Sequence, residues 1–225
     1  MDAQSQTGFI VWITGMHGAG KTALARHMHQ RLSAAGRRVE LIDGDDPAEI
    51  LTRGLGGGKD DRDTAVRRIG HVAKLLARNG VIAICASLSP YREVRETLRR
   101  EARRFVEIFV DCPMDTLLQR NPVYKKAMAG EVRNVAGIDD PYEPPTHAEV
   151  VVHSEQEPVE AAATRVFQAL VDLKYVGPTE FGRLTGGQRP KRARPAGKRA
   201  AARAARKAPR KAAARSAKPT RSARR

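Results

Sequence analysis

Gly15-Met16-His17-Gly18-Ala19-Gly20-Lys21-Thr22 sets a glycine, four residues and then Gly-Lys-Thr in a row, and the reading of the chain starts there. The run before it, Phe9-Ile10-Val11-Trp12-Ile13, is apolar and β-branched, as a buried strand is. The run after it, Ala23-Leu24-Ala25-Arg26-His27-Met28, puts Leu24, Met28 and Leu32 on one helical face. A loop between a strand end and a helix start offers free backbone N–H groups and a positive dipole end to an anion. Its glycines let the backbone close round phosphates without Cβ clashes. The stretch therefore reads as a phosphate-binding loop in which Gly15, Met16, His17, Gly18, Ala19, Gly20, Lys21 and Thr22 hold ATP. Lys21 would reach the β- and γ-phosphates and the Thr22 hydroxyl would hold Mg²⁺. His17 occupies a variable position of the motif and gains no chemistry from the spacing.

Beyond Gly36, Val39-Glu40-Leu41-Ile42 reads as a second strand, closed by Asp43-Gly44-Asp45-Asp46. Residues 47–59 are glycine-rich and read as a loop with a short helical turn. From Asp63 to Arg78 the apolar period is helical, with Val66, Ile69, Val72, Ala73 and Leu76 on one face. Val81-Ile82-Ala83-Ile84-Cys85-Ala86 is a continuous apolar strand of the parallel-sheet type. A basic helix from Tyr91 to Arg104, a strand from Phe105 to Asp111 and a helix from Met114 to Arg120 follow. After a charged, irregular segment at 121–147 come a strand at Glu149–Val152 and a helix from Pro158 to Lys174. This alternation predicts a three-layer α/β/α fold on a five-stranded parallel sheet with right-handed crossovers. Ligands of such sheets sit beyond the carboxyl ends of the strands, which gathers the glycine loop, Asp43–Asp46 and the Ser87–Arg92 turn into one site. Asp43 and Asp45 would then act with Lys21: one carboxylate orients or deprotonates an acceptor hydroxyl, and the other holds Mg²⁺ with Thr22, directly or through water.

Charge divides the chain in two. Of its 41 Lys and Arg, 16 lie in residues 189–225, which contain none of the 25 acids; the remaining 25 bases balance those acids. The expected organisation is a flexible lead at 1–8, a catalytic domain at 9–176, a linker at 177–188 and a disordered Lys/Arg/Ala/Pro tail at 189–225. The tail has no apolar side chain larger than Ala and cannot bury a core. Its composition resembles linker-histone and bacterial histone-like tails, and salt-sensitive, sequence-independent contact with nucleic acid or another polyanion is the function it suggests. Only Cys85 and Cys112 are present, with no metal-type spacing, which suits a reducing cytoplasm. No signal peptide or membrane-span pattern is found, and no membrane association is expected.

Further blocks carry a resemblance. Trp12-Ile13-Thr14-Gly15 through Thr22 and Asp43-Gly44-Asp45 are followed by Asp61-Arg62, Arg67-Arg68-Ile69-Gly70 and Val72-Ala73-Lys74. Then come Ser89-Pro90-Tyr91-Arg92, Tyr124-Lys125-Lys126-Ala127 and Gly137-Ile138-Asp139-Asp140-Pro141-Tyr142-Glu143-Pro144-Pro145. Together these resemble adenylylsulfate kinase from about Ile10 to Val152. The resemblance implies a P-loop kinase fold, commonly a homodimer, and ATP-dependent phosphorylation of the 3′-hydroxyl of adenylylsulfate. It also implies a catalytic Asp43-Gly44-Asp45 turn, acceptor binding by Arg62, Leu88, Ser89 and a lysine of the Lys125-Lys126 pair, and a mobile lid from Tyr124 to about Pro145. The departures fall on the acceptor side. Pro47 and Ala48 replace the pattern that supplies an acceptor-side Arg, and Thr64-Ala65-Val66 lacks an Asn. Gly57 and Val135 stand where the family has phenylalanines that stack on the acceptor adenine, and the lid is about two residues shorter before Tyr124. Two alternatives stay open: a kinase of another anionic hydroxyl acceptor on the same scaffold, and a nucleotide-binding protein whose tail contacts nucleic acid.

Overall fold

A computed structural model of the chain describes residues 7–46 and 48–187. The readings made for residues 1–6, Pro47 and the 189–225 tail lie outside the described residues. Five strands, β1 (Ile10–Thr14), β2 (Val39–Asp43), β3 (Ile82–Ala86), β4 (Phe105–Asp111) and β5 (Val150–His153), form one sheet in the order β2-β3-β1-β4-β5. Every pairing is parallel, with Ile10 of β1 in register with Ala83 on one side and Phe105 on the other. The helices are α1 (Lys21–Ala34), α2 (Lys59–Arg78), α3 (Arg92–Glu101), α4 (Met114–Arg120), α5 (Val123–Met128), α6 (Val159–Asp172) and α7 (Pro178–Thr185).

Alternation along the buried strands sorts the core into two layers. Val11, Ile13, Ile82, Ile84, Val106 and Ile108 pack with Leu24, Met28 and Leu32 of α1 and with Val166 and Phe167 of α6. Ile10, Trp12, Ala83 and Cys85 face the other way, against Val66, Ile69 and Ala73 of α2 and Val94 and Leu98 of α3. The expected three-layer α/β/α fold is therefore the observed one.

Three readings are revised. Helix α2 begins at Lys59, because Asp60 and Asp61 lie in its first turn and favour its dipole. The segment 121–147 is not wholly irregular: it contains α5, whose Tyr124 is fully buried. The stretch read as a linker forms α7, seated by Leu184, which is buried in the α1–α6 layer, and by an Arg37–Glu180 ion pair of 3.0 Å. Cys112 is buried like Cys85, and burial pushes the Cys85 thiol pKa up, so that thiol is inert core. Among the described residues no helix is long and apolar enough to cross a membrane.

Candidate active site

The glycine loop turns from the end of β1 into α1, with Gly15, Gly18 and Gly20 all at positive φ. Lys21 is the first residue of α1, and its ammonium lies buried beneath the loop, donating to the Met16 carbonyl at 3.0 Å. The same nitrogen is 2.7 Å from Asp45 Oδ2. Thr22, next on the helix, sits half-buried at the loop's rim.

The acidic turn is held at the end of the neighbouring strand. Gly44 N–H donates to Ala86 O at 2.7 Å, and a Cβ at Gly44 would lie only 2.8 Å from Ile69 Cδ1. The missing side chain lets the turn lie close to α2, and a Cβ there would need Ile69 to turn aside. Asp43 accepts the Asp45 N–H at 3.2 Å, which locks the turn. Burial alone would raise the Asp45 pKa. The charges of Lys21 and His17, the Lys21 hydrogen bond and the Leu88 N–H outweigh it and hold the carboxyl below its ordinary range. Asp45 is thus ionised at neutral pH. Burial, against an opposing pull from Asp45, lowers the pKa of His17, whose Nδ1 is 3.8 Å from Asp45 Oδ2. Its imidazole is neutral at pH 7.

Beside this pair opens a cavity of about 280 Å³, lined on its polar side by His17, Asp45, Asp61, Arg62 and the Ser87–Pro90 turn, and on its apolar side by Leu55, Val66 and Leu88. Arg62 spans it. Its Nε donates to Gly57 O at 2.7 Å, and its Nη2 donates to Asn134 O across the cavity mouth. Its Nη1 lies 3.3 Å from Asp140 Oδ2, an ion pair outside hydrogen-bond geometry, so that buried N–H has no hydrogen-bond acceptor. Tyr91 OH fixes the other oxygen of Asp140 at 2.8 Å.

The predicted site residues therefore separate into two sets. Lys21, Asp43, Asp45 and the loop come together, and Arg62, Leu88 and Ser89 line the cavity next to them. Lys125 and Lys126 are exposed on α5 and do not line it. The residue of that motif which does touch the site is Tyr124, whose hydroxyl donates to His17 O at 2.9 Å. The Ser89 side chain is also turned away from the cavity. It accepts from Trp12 Nε1 at 3.0 Å and donates to Thr14 Oγ1 at 2.9 Å, and Thr14 donates to Leu88 O at 2.9 Å.

This buried network was not read from the sequence. It holds Ser89 at φ 35°, a left-handed conformation unusual for a residue before proline. Arg95, only 1% exposed, completes it: it donates to Ser89 O, to Glu143 O at 2.6 Å and to Glu107 Oε1 at 2.9 Å. One signal for Arg95 exists. It stands four residues after Tyr91 and three before Leu98, on the buried face of α3 rather than its basic one.

The segment 134–140 lies on the glycine loop. A Cβ at Gly137 would be 2.6 Å from Met16 Sδ, and Gly137 has φ 90°, so only glycine fits there. A Cβ at Gly57 would be 3.2 Å from Asn134 Cβ, and the neighbouring Val135 is 5% exposed, so the covering segment approaches the loop before α2 closely at both positions.

Hard oxygen donors suit Mg²⁺, and it prefers one or two carboxylates plus phosphate and water to an all-protein cage. Two carboxylates and a hydroxyl at the loop fit that preference, and among the described residues no cluster of three His, Cys, Asp or Glu competes with them.

Sheet order, glycine loop and the lysine–aspartate pair together make this a P-loop kinase. Comparison with known proteins says which kind. The family model for adenylylsulphate kinase matches residues 7–153. An adenylyl-sulfate kinase of Rippkaea orientalis is 45% identical over 173 residues, covering 76% of this chain and 96% of the relative. One from Picosynechococcus sp. is 46% identical over 173 residues, covering 76% and 98%. Among solved structures, the Mycobacterium tuberculosis APS kinase CysC in complex with AMPPNP and APS superposes with a TM-score of 0.69 at 33% identity, covering 73% of this chain and 98% of that one. The chain belongs to the adenylylsulphate kinase family.

Proposed function

We propose that the chain transfers the γ-phosphoryl group of ATP to the 3′-hydroxyl of adenylylsulfate, giving 3′-phosphoadenylylsulfate and ADP. Family membership carries the reading, and one observation ties it to this chain's own residues. The 280 Å³ cavity is lined both by Asp45, the partner of Lys21, and by Arg62, a guanidinium whose Nη1 makes no hydrogen bond and which suits an anionic acceptor.

Phosphoryl transfer of this kind runs mainly on positioning and charge, with little covalent work for the protein. The loop N–H groups cradle the phosphates and Lys21 leaves Asp45 to meet the β- and γ-oxygens. Asp45, ionised and with a low pKa, is a weak base but a strong acceptor, so it orients the attacking hydroxyl. Asp43 shapes the turn. Mg²⁺ would be held by Thr22 and Asp43, directly or through water, and would neutralise charge on the phosphates, which leaves Asp45 for the hydroxyl. Arg62 holds the acceptor's anionic group, and Leu55, Val66 and Leu88 take the place of aromatic stacking with aliphatic contact. The 134–143 segment closes over both substrates.

The test is coupled ATP turnover by the purified protein with adenylylsulfate over a concentration range. Saturation at micromolar acceptor is expected. Turnover no faster than the acceptor-free rate, with ATP binding intact, would assign the cavity to a different anionic hydroxyl compound.

The charge segregation supports a second role. A tail with 16 bases and no acid suits sequence-independent binding to nucleic acid. Deleting 188–225 should leave kinase turnover unchanged and abolish retention on duplex DNA at low salt. Action in the cytoplasm accords with two buried free cysteines, and a homodimer is tested by sedimentation.

A further inference from the structure

His17 is the only side chain of residues 15–22 that lines the acceptor cavity. Its Nδ1 faces Asp45 Oδ2 at 3.8 Å, the same oxygen that Lys21 holds at 2.7 Å. Its backbone carbonyl is fixed from the other side by Tyr124 OH at 2.9 Å. The ring therefore hangs from a clamped backbone, just short of hydrogen-bond distance to a carboxylate that already has a better partner.

That partner is temporary. A lysine at this position of the loop belongs to the nucleotide phosphates once ATP is bound. When Lys21 turns to them, Asp45 keeps its charge and loses its ammonium, and its side chain is only 20% exposed. A buried carboxylate short of a donor is costly and free to rotate. The other cation beside the cavity, Arg62, holds Gly57 O and Asn134 O, and its remaining nitrogen lies beside Asp140 and makes no ion pair with Asp45. His17 needs a movement of about 1 Å to reach ordinary hydrogen-bond length.

We propose that His17 is a positioning residue: on nucleotide binding its Nδ1–H replaces Lys21 at Asp45 Oδ2 and keeps the carboxylate aimed at the acceptor hydroxyl. The imidazole neither gains nor loses a proton overall: its single N–H moves from Nε2 to Nδ1 by exchange with water, and one hydrogen bond replaces one ion pair. The histidine must carry its proton on Nδ1, whereas the exchange leaves Nε2 bare toward the cavity. The inference rests on Asp45 being the orienting carboxylate, and its test does not require the acceptor to be known.

The test uses the full chain with ¹⁵N-imidazole histidine at pH 8, where the His17 ring is neutral. His17 is identified among the six histidines by the signal lost in His17→Asn. Saturation with AMPPNP and Mg²⁺ should shift His17 to the Nδ1–H tautomer, and should fail to do so in Asp45→Ala. An unchanged tautomer on nucleotide binding, or the same shift in Asp45→Ala, overturns the proposal. If adenylylsulfate is not turned over yet the shift occurs, the acceptor assignment fails and this inference stands. With turnover, His17→Leu should lower kcat about tenfold with the AMPPNP Kd within about twofold, and His17→Asn, which keeps an N–H donor, should recover most of it. Equal losses in both variants, or a parallel fall in nucleotide affinity, would mean that His17 only supports the loop.

Discussion

The donor half of the site is one continuous stretch, residues 15–22, and what it offers ATP is mostly backbone. The acceptor half is gathered from Asp45, Arg62, the Ser87–Pro90 turn and residues 134–143, and is joined by side chains capping the carbonyls of other segments. The contrast has a consequence for sequence change. A backbone site fails as a whole when its glycines are altered. A side-chain site can change members singly, as the small residues Gly57 and Val135 at the contact between the cover and the loop before α2 illustrate. The donor half keeps its motif intact and the acceptor half departs from the family pattern, as this difference in construction allows.

The largest expected effect falls on the donor half. Lys21→Ala should lower kcat/KM by about 10³-fold or more, as the loss of a charge that stabilises the transferring group does. It should also change the response to pH. In the wild type Asp45 has a depressed pKa, so it stabilises the fold above about pH 4 and that contribution fades only as pH falls through the carboxylate range. Without Lys21 burial dominates, the pKa rises, and the folded variant holds its proton where the unfolded chain does not. The gap in Tm between wild type and variant should therefore widen as pH rises from 4 to 7. A constant gap would show that Asp45 does not depend on Lys21.

Arg95→Met tests the frame behind the acceptor half. It removes the buried partner of Glu107, which keeps only the longer contact with Arg99, and leaves two carbonyls uncapped. A stability loss of about 3–5 kcal/mol is expected by chemical denaturation. Because the Ser89 turn hangs from the same guanidinium, acceptor KM should rise in the residual folded protein while the ATP Kd holds. An equal rise in both constants would mean that the two halves are not separately supported.

How far the sequence discloses the molecule follows the same division. The sheet, its α1 and α2 faces and the glycine loop are legible because each is local: a period of two or of 3.6, or a fixed spacing. Helix α7 is missed because Pro178-Thr179-Glu180 reads as a polar break, and only tertiary contact with α1 and α6 makes Leu184 a core residue. Lys125 and Lys126 are named where Tyr124 does the touching, because a motif gives the stretch and not the face of a one-and-a-half-turn helix. The Trp12–Ser89–Thr14 network joins residues more than seventy positions apart, and no local pattern encodes such a meeting.

Arg62→Ala should have a moderate effect confined to the acceptor. It removes the N–H that has no acceptor and the bridge from Gly57 O to Asn134 O. Acceptor KM should rise about 10- to 100-fold, the value of one charge-assisted contact, with kcat changed less. Asp140→Asn separates the two roles of Arg62: it frees the guanidinium from its ion pair and leaves the carbonyl contacts. If Arg62 serves the acceptor, KM should fall or hold in that variant; a rise matching Arg62→Ala would make the residue a latch on 134–140 and nothing more.

The smallest effect expected is where α5 meets the donor loop through a single side-chain hydrogen bond. Tyr124→Phe deletes the hydroxyl that caps His17 O and keeps the ring in the core. The carbonyl left behind is worth about 1 kcal/mol, a shift of a few degrees in Tm for a domain of this size. The informative readout is kinetic. If α5 merely packs against the loop, kcat and both Michaelis constants should be unchanged within twofold, since the ring alone supplies the packing. If the hydroxyl fixes the loop backbone from which His17 reaches Asp45, kcat should fall severalfold with ATP binding preserved, and the fall should vanish when the same change is made in His17→Leu, where there is no ring left to aim. That double-mutant comparison distinguishes a lid that only covers the donor loop from one that sets the geometry on its acceptor side.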